Sequence, residues 1–199
     1  MPKATSANQA ERPSGLFGRL MGEVMAATNR PRNLWLLDQL NLQRGLSGLE
    51  FGFGNGETLT GFLSRTKDGR ALGVDWSQSM VDAAAKRNTE AIAEGRLSLK
   101  LGDISEPAML LGGPFDRIWS SNVIQMIDDR PALFGKLLPA LSNQGLLALC
   151  FQPRGPKAPP AEMLLPLCTA DLKTAGFQRV ETRWMPGASP AAFCILATS

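Results

Sequence analysis

The chain has 199 residues, 44% of them hydrophobic and 20% charged, with a net charge of +3 and neither histidine nor tyrosine. This length fits one domain with enough apolar content to bury a proper core, and the missing histidine excludes an imidazole general base. No apolar run approaches the roughly 20 residues of a membrane span, so the chain reads as soluble.

The basic excess is local. Residues 1–33 hold Lys3, Arg12, Arg19, Arg30 and Arg32 against Glu11 and Glu23, and the remainder balances. Such an arm can touch nucleic acid or an anionic substrate, but it suits an ordinary solvated helix face better. Met1 to Ser14 is polar, lacks the apolar core of a secretory leader and reads as a disordered tail. Cys150, Cys168 and Cys194 are odd in number, widely spaced and without metal-type pairing. They read as buried free thiols in a reducing cytoplasm.

From Ser14 to Leu42 apolar residues recur at helical spacing (Leu16, Leu20, Val24, Met25, then Leu34, Leu37, Leu40), and Pro31 is expected to separate two helices. Residues 15–42 thus form a helical cap ahead of a domain spanning 43–199. A strand is predicted at Ser47–Phe51. The stretch Gly52-Phe53-Gly54-Asn55-Gly56 follows it, then a helix to about Arg65. Arg70–Asp75 is a second strand ending in an acid. Ser77 is an N-cap candidate for one helix running to Glu94. Leu97–Leu101 alternates as a strand and delivers Gly102-Asp103. A short helix or loop follows from Pro107, then a strand over Phe115–Ser120, a helix over Arg130–Leu141 stopped at Asn143-Gln144-Gly145, and a buried strand over Gly145–Phe151. A proline-rich loop (153–160), a helix over Ala161–Ala175, and two strands (Arg179–Trp184, Ala192–Thr198) complete the chain.

Strands alternating with helices, closed by a strand pair, predict an α/β fold: a doubly wound, mostly parallel sheet with helices on both faces. In such sheets ligands bind beyond the carboxyl ends of the strands, at the topological switch point. Gly52, Gly54, Gly56, Asp75, Asp103 and Asn122 all fall at such ends. Glycines there allow positive φ and close approach of a ligand to the backbone. The dinucleotide fingerprint would carry a third glycine or alanine where Glu57 stands, and no P-loop lysine followed by Ser or Thr is present. An acid at that helix start also opposes a pyrophosphate. The departures favour a nucleoside ligand without phosphate.

In these residues the sequence resembles the S-adenosylmethionine-dependent methyltransferases with the Rossmann-like (class I), seven-stranded fold. The likeness covers about Leu46 to Thr198. It rests on Glu50-x-Gly52-x-Gly54-x-Gly56, Gly73-Val74-Asp75 before Ser77-x-x-Met80, Gly102-Asp103, Phe115-Asp116-Arg117-Ile118 and Ala175-Gly176-Phe177. It implies S-adenosyl-L-methionine as cofactor. The glycine loop would lie along its methionine part, and Asp75 would accept both hydrogens of the ribose diol. Trp76 and Met80 would sandwich the adenine, unless they are core residues. Asp103 or Ile104 would face the adenine amino edge, and Asn122 would lie near the ammonium and the reacting methyl. Loop capping is the competing reading of Asp75 and Asp103. Glu50 either holds the ammonium, directly or through water, or caps N–H groups of the glycine loop.

Methyl transfer from a sulfonium is a displacement that needs chiefly alignment. Asp128 and Asp129 are the candidate catalytic carboxylates, with an N-cap for the next helix as the competing role. Ser121-Asn122-Val123-Ile124 stands where Asn-Pro-Pro-Tyr would indicate methylation of a planar nitrogen, so nucleic acid is disfavoured as acceptor. Phe17, Met21, Met25, Trp35, Met126 and Met163 suggest a small, partly apolar acceptor. An RNA or protein methyltransferase, supported by the basic arm, and a non-catalytic cofactor-binding subunit are the alternatives.

Overall fold

Alternating apolar residues make Ser47–Phe51 (β1) a strand buried on both faces. From it the sheet extends to both sides, to the strands Arg70–Asp75 and Phe115–Ser121. The computed structural model describes residues 29–199, and residues 32–199 form one compact unit. Residues 29–39 (α1) are helical, with Pro31 inside the helix instead of between two. The elements after β1 are Glu57–Thr66 (α2), Arg70–Asp75 (β2), Gln78–Arg87 (α3), Thr89–Ala93 (α4) and Leu97–Leu101 (β3). Then come Phe115–Ser121 (β4), Arg130–Leu137 (α5), Leu141–Phe151 (β5), Ala161–Thr174 (α6), Arg179–Trp184 (β6) and Phe193–Thr198 (β7). Short 3-10 turns occupy Pro107–Leu110 and Ile124–Met126. The polar tail expected over 1–14, most of the cap expected over 15–42, and Phe17, Met21 and Met25 lie outside the described residues.

The seven strands form one sheet in the order β3-β2-β1-β4-β5-β7-β6. Strands β1 to β5 pair in parallel and β7 runs antiparallel between β5 and β6. This is the predicted doubly wound α/β sheet. Its order reverses between β1 and β4, which puts the switch point at the ends carrying Gly52 and Asn122.

One face is packed by α5 and α6, where Phe134, Leu137, Leu164 and Leu172 meet Phe51, Ile118, Leu149 and Ile195. The other is packed by α1 and α2, where Leu36, Leu40 and Phe62 meet Trp119, Ala148 and Cys150. Each fully buried side chain of this size contributes about 1.5–3 kcal/mol. Gly48 leaves room for Phe62 and Trp119 to stack at 4.7 Å between ring centroids; a Cβ there would approach both rings to 2.7 Å. Arg117 fixes the end of α1, its Nε donating to the Leu40 carbonyl at 2.5 Å and its Nη2 to the Asn41 carbonyl at 3.1 Å. Trp35, expected near the acceptor, packs instead against this core.

Two element boundaries differ from the sequence reading. The helix expected from Ser77 to Glu94 breaks at Asn88, whose φ is −114°. The Asn88 amide is buried and turned inward: Nδ2 donates to the Ala84 and Gly56 carbonyls, and Oδ1 accepts from the Thr60 hydroxyl at 2.7 Å. The helix expected to reach Leu141 stops at Leu137, and β5 begins at Leu141, paired with Phe115. A register shift between Phe115 and Arg117 lets residues 142–145 loop out within the strand, so the expected stop signal is a bulge.

Candidate active site

The glycine loop and the acid of β2 are tied together by backbone chemistry. Gly52 has φ +65° and Gly56 φ +75°. A Cβ on Gly52 would strike the Val123 side chain, and one on Gly56 would come within 2.8 Å of both Ala84 Cβ and Asn88 Nδ2. Gly56 therefore supplies the close helix approach that a third spaced glycine gives in dinucleotide folds. Gly54, at φ +56°, has nothing within 4 Å of its absent Cβ. Its N–H donates to Asp75 Oδ2 at 2.9 Å, while Ser77 N–H donates to Asp75 Oδ1 at 2.9 Å. Ser77 starts α3 but its hydroxyl makes no cap bond; it meets Ser79 Oγ instead.

Beyond these strand ends lies a cavity of about 550 Å³, within the ~300–1,000 Å³ usual for small-ligand sites. Gly52, Asp75, Trp76, Met80, Asp103, Ile104, Asn122, Met126, Asp128 and Asp129 all line it, together with Ser121, Val123 and Lys136. Trp76 is 73% exposed and Met80 36%, so neither is a core residue. Ile104 is buried at the wall. Asp103 Oδ1 accepts from Ser105 N–H at 2.8 Å, which closes the turn after β3. Four carboxylates against one lysine make this wall acidic, a field that favours a cationic ligand.

Asn122, at φ +57°, turns its amide toward β5: Nδ2 donates to the Gln152 carbonyl at 2.9 Å and Oδ1 accepts from Gln152 N–H at 2.8 Å. Asp129 Oδ1 accepts from Ala132 N–H at 3.0 Å, capping α5 from the cavity wall. Asp128 lines the cavity beside it. Glu50, Gly54 and Gly56 are not among its lining residues. Met163 is 65% exposed on α6 and away from the cavity.

Glu50 is buried within β1. Its Oε1 accepts from the Thr58 hydroxyl at 2.5 Å, so the acid holds the first turn of α2, while the Gly54 N–H goes to Asp75. Burial raises its carboxyl from 4.5 to about 8, against the opposing pull of Thr58 and Trp119 and with a push from the Asp75 charge. The Trp119 indole stabilises the ionised form, yet neither Trp119 Nε1 nor Glu50 Oε2 closes a hydrogen bond. At neutral pH the carboxyl is mostly protonated, and Oε2 is an orphaned buried atom.

The family described as "Methyltransferase domain" matches residues 49–145. An uncharacterised methyltransferase YdaC from Bacillus subtilis (strain 168) is 32% identical over 167 residues, covering 83% of this chain and 90% of that protein. The chain belongs to the class I S-adenosylmethionine-dependent methyltransferases. Among solved structures, an S-adenosylmethionine-dependent methyltransferase from Aquifex aeolicus shares the fold at TM-score 0.64 and 18% identity, covering 83% of this chain and 88% of that one. So does phosphoethanolamine N-methyltransferase 2 of Haemonchus contortus in complex with S-adenosyl-L-methionine, at TM-score 0.66 and 17% identity, over 85% of this chain and 52% of that one.

The residues of this methyltransferase fit its cofactor. An acid-lined cavity suits a molecule carrying a sulfonium and an ammonium, and an exposed indole beside a thioether suits a flat heterocycle. The open face of Gly54 leaves the loop backbone approachable. Thr58 and Lys136 escaped the sequence reading. Helical spacing from Gly56 could have turned Thr58 toward β1. Nothing in the sequence marks Lys136, whose Nζ reaches across to the Ser105 carbonyl at 2.8 Å.

Proposed function

We propose that this methyltransferase acts on a small, partly apolar acceptor in the cytoplasm, by positioned displacement without an imidazole base. The observation that carries the reading is the cavity lining itself, to which Met126, Ile127 and Leu133 contribute apolar surface along with Asp128. Met126 is 49% exposed there, an uncovered thioether where an acceptor would rest. The cofactor supplies an electrophilic methyl on a positively charged sulfur. The chain's own contribution is alignment: a reacting pair held in line gains most of its rate from lost orientational freedom.

In this reading Asp75 receives the ribose diol on the lone pairs left by Gly54 and Ser77. Trp76 and Met80 cover the adenine, and Asp103 and Ile104 border its amino edge. Gly52, Gly54 and Gly56 give the methionine part its backbone bed. Asn122 contributes through its fixed turn, since its amide is engaged by Gln152. Glu50 answers the ammonium from behind the loop. Asp128 is the group placed to take a proton from the acceptor, and Asp129 sets the helix beside it.

Buried thiols agree with a reducing compartment: Cys150, Cys168 and Cys194 are all free and buried. Among the described residues no helix is long and apolar enough to cross a membrane. The test is S-adenosylhomocysteine formation against parallel panels of small amines, phenols and thiols, of RNA, and of protein. Turnover confined to RNA or protein would sink the small-acceptor reading.

A further inference from the structure

The sheet ends on β6, and among the described residues no strand pairs with its outer edge. Every residue of β6 except Val180 is exposed. Trp184 is 45% exposed, its ring edge-on to Phe193 at 5.9 Å. An open strand edge is a row of unpaired N–H and C=O groups that accepts another strand. Which groups face outward follows from the pairing with β7. The Met185 N–H donates to the Ala192 carbonyl at 2.9 Å, one step beyond the Trp184–Phe193 pair. Bonded and non-bonded pairs alternate in an antiparallel ladder, so Glu181 and Arg183 turn their backbone groups to β7. Val180, Thr182 and Trp184 turn theirs to the open edge. Side chains alternate as well. Val180 packs on the α6 side of the sheet, while Glu181 and Arg183 lie on the α1 side, where Arg183 Nη1 donates to Gln39 Oε1 at 3.0 Å.

The strand is complementary to itself. Turned antiparallel about Thr182, it sets Thr182 on Thr182, Val180 on Trp184 and Glu181 on Arg183 of a second copy. The outward groups of Val180, Thr182 and Trp184 then meet as bonded pairs. Glu181 and Arg183 fall at the non-bonded pairs, where side chains come closest. The two-fold axis makes each contact away from the centre occur twice. Moving the axis to Glu181 sets Glu181 on itself and Arg179 on Arg183, and moving it to Arg183 sets Arg183 on itself. An axis at Val180 opposes Arg179 to Glu181 but carries Arg183 beyond the start of the strand. Within one copy Glu181 is held loosely, with Arg179 at 3.4 Å and Arg183 at 4.0 Å, and exposed pairs of this kind are worth little. We propose that two copies of this chain associate through β6, antiparallel about Thr182, to give one sheet running through both. The inference is independent of the acceptor reading. No residue of β6 or β7 lines the cavity, so each copy keeps its own.

The test is the molar mass of the full chain by sedimentation equilibrium, over a dilution series reaching about 100 μM, a range that covers weak specific association. The expected result is a monomer–dimer equilibrium. Thr182→Pro removes the N–H at the axis while leaving the bonds to β7, and should give monomer at every concentration. Arg183→Glu and Glu181→Arg each set like charges face to face twice, and should raise the dimer dissociation constant about tenfold or more. Mixing these two variants restores opposite charges between copies but not within either, so the mixture should dimerise as wild type does. Should Thr182→Pro not fold, Arg183→Glu and the mixture decide. A wild-type chain that is monomeric throughout, a dimer indifferent to Thr182→Pro or to Arg183→Glu, or a mixture no tighter than the single variants overturns the proposal.

Discussion

Asp75 Oδ2 accepts the Gly54 N–H at 2.9 Å, so the acid at the end of β2 and the open glycine after β1 are one structural unit. A substitution at either residue therefore disturbs the other, and with it both the bed and the anchor proposed for the cofactor.

Asp75→Ala removes the acceptor of two backbone N–H groups, on Gly54 and Ser77, together with the proposed partner of the ribose diol. Hydrogen bonds to a charged group are worth about 1.5–3 kcal/mol each. Affinity for S-adenosylmethionine is expected to fall about 100-fold or more, with a lower melting temperature from the unpaired N–H groups. Asp75→Asn keeps one oxygen but sets an NH2 against the second N–H, and should lie between. Calorimetric affinity in Asp75→Ala within threefold of wild type would refute the role.

The glycines separate crowding from ligand access. Gly52→Ala drives a Cβ into Val123 at positive φ, and should destabilise the fold by about 2 kcal/mol or more. Gly54 has empty space around it, so Gly54→Ala meets only the backbone preference, about 1 kcal/mol. Gly54→Val adds a β-branched side chain where φ is +56° and blocks the face left open. It should abolish cofactor binding while urea denaturation still shows a cooperative transition. Retained binding in Gly54→Val would mean the cofactor does not lie on that face.

Much of this arrangement was legible in the sequence because strand ends are punctuated. Gly52, Asp75, Asp103 and Asn122 each terminate an apolar run, and a doubly wound sheet brings such ends together whatever the loops do. Local signals failed where a distant contact decides. Asn88 breaks a helix because Gly56 and Thr60 offer its amide better partners. Residues 142–145 read as a turn because turn residues also build bulges. Met163 shared the composition of a pocket residue but sits on the outer side of α6. Arg32 looked like part of a solvated basic arm, and only the packing of α1 over β4 and β5 makes it a buried charge.

The two adjacent acids should come apart by mutation. Asp129→Ala loses the cap bond to Ala132 N–H, a change of about 1 kcal/mol, or roughly 2–4 °C in melting temperature for a chain of this size. Asp128 makes no such cap, so Asp128→Asn should leave the melt within about 1 °C while lowering kcat. If Asp128→Asn turns over like wild type across pH 5–9, transfer proceeds without this base and alignment alone suffices.

Glu50 gives the stability a pH dependence of defined sign. Its folded-state pKa, about 8, lies above the ordinary 4.5, so between these values the folded protein holds a proton that the unfolded chain has released. The contribution is fully present below pH 4.5 and is lost as pH rises through 8, at about 1.4 kcal/mol per pH unit in between. Glu50→Gln keeps the shape and the Thr58 contact but cannot titrate. Urea denaturation at intervals from pH 5 to 8.5 should show wild-type stability falling relative to Glu50→Gln by a total on the order of a few kcal/mol. Parallel curves would mean that the carboxyl ionises normally in the fold. Cofactor binding adds a second reading: an ammonium near Oε2 favours the carboxylate, so at pH 7 S-adenosylmethionine should displace the Glu50 proton to solvent. Binding enthalpies measured in buffers of different ionisation enthalpy would then differ for wild type and coincide for Glu50→Gln.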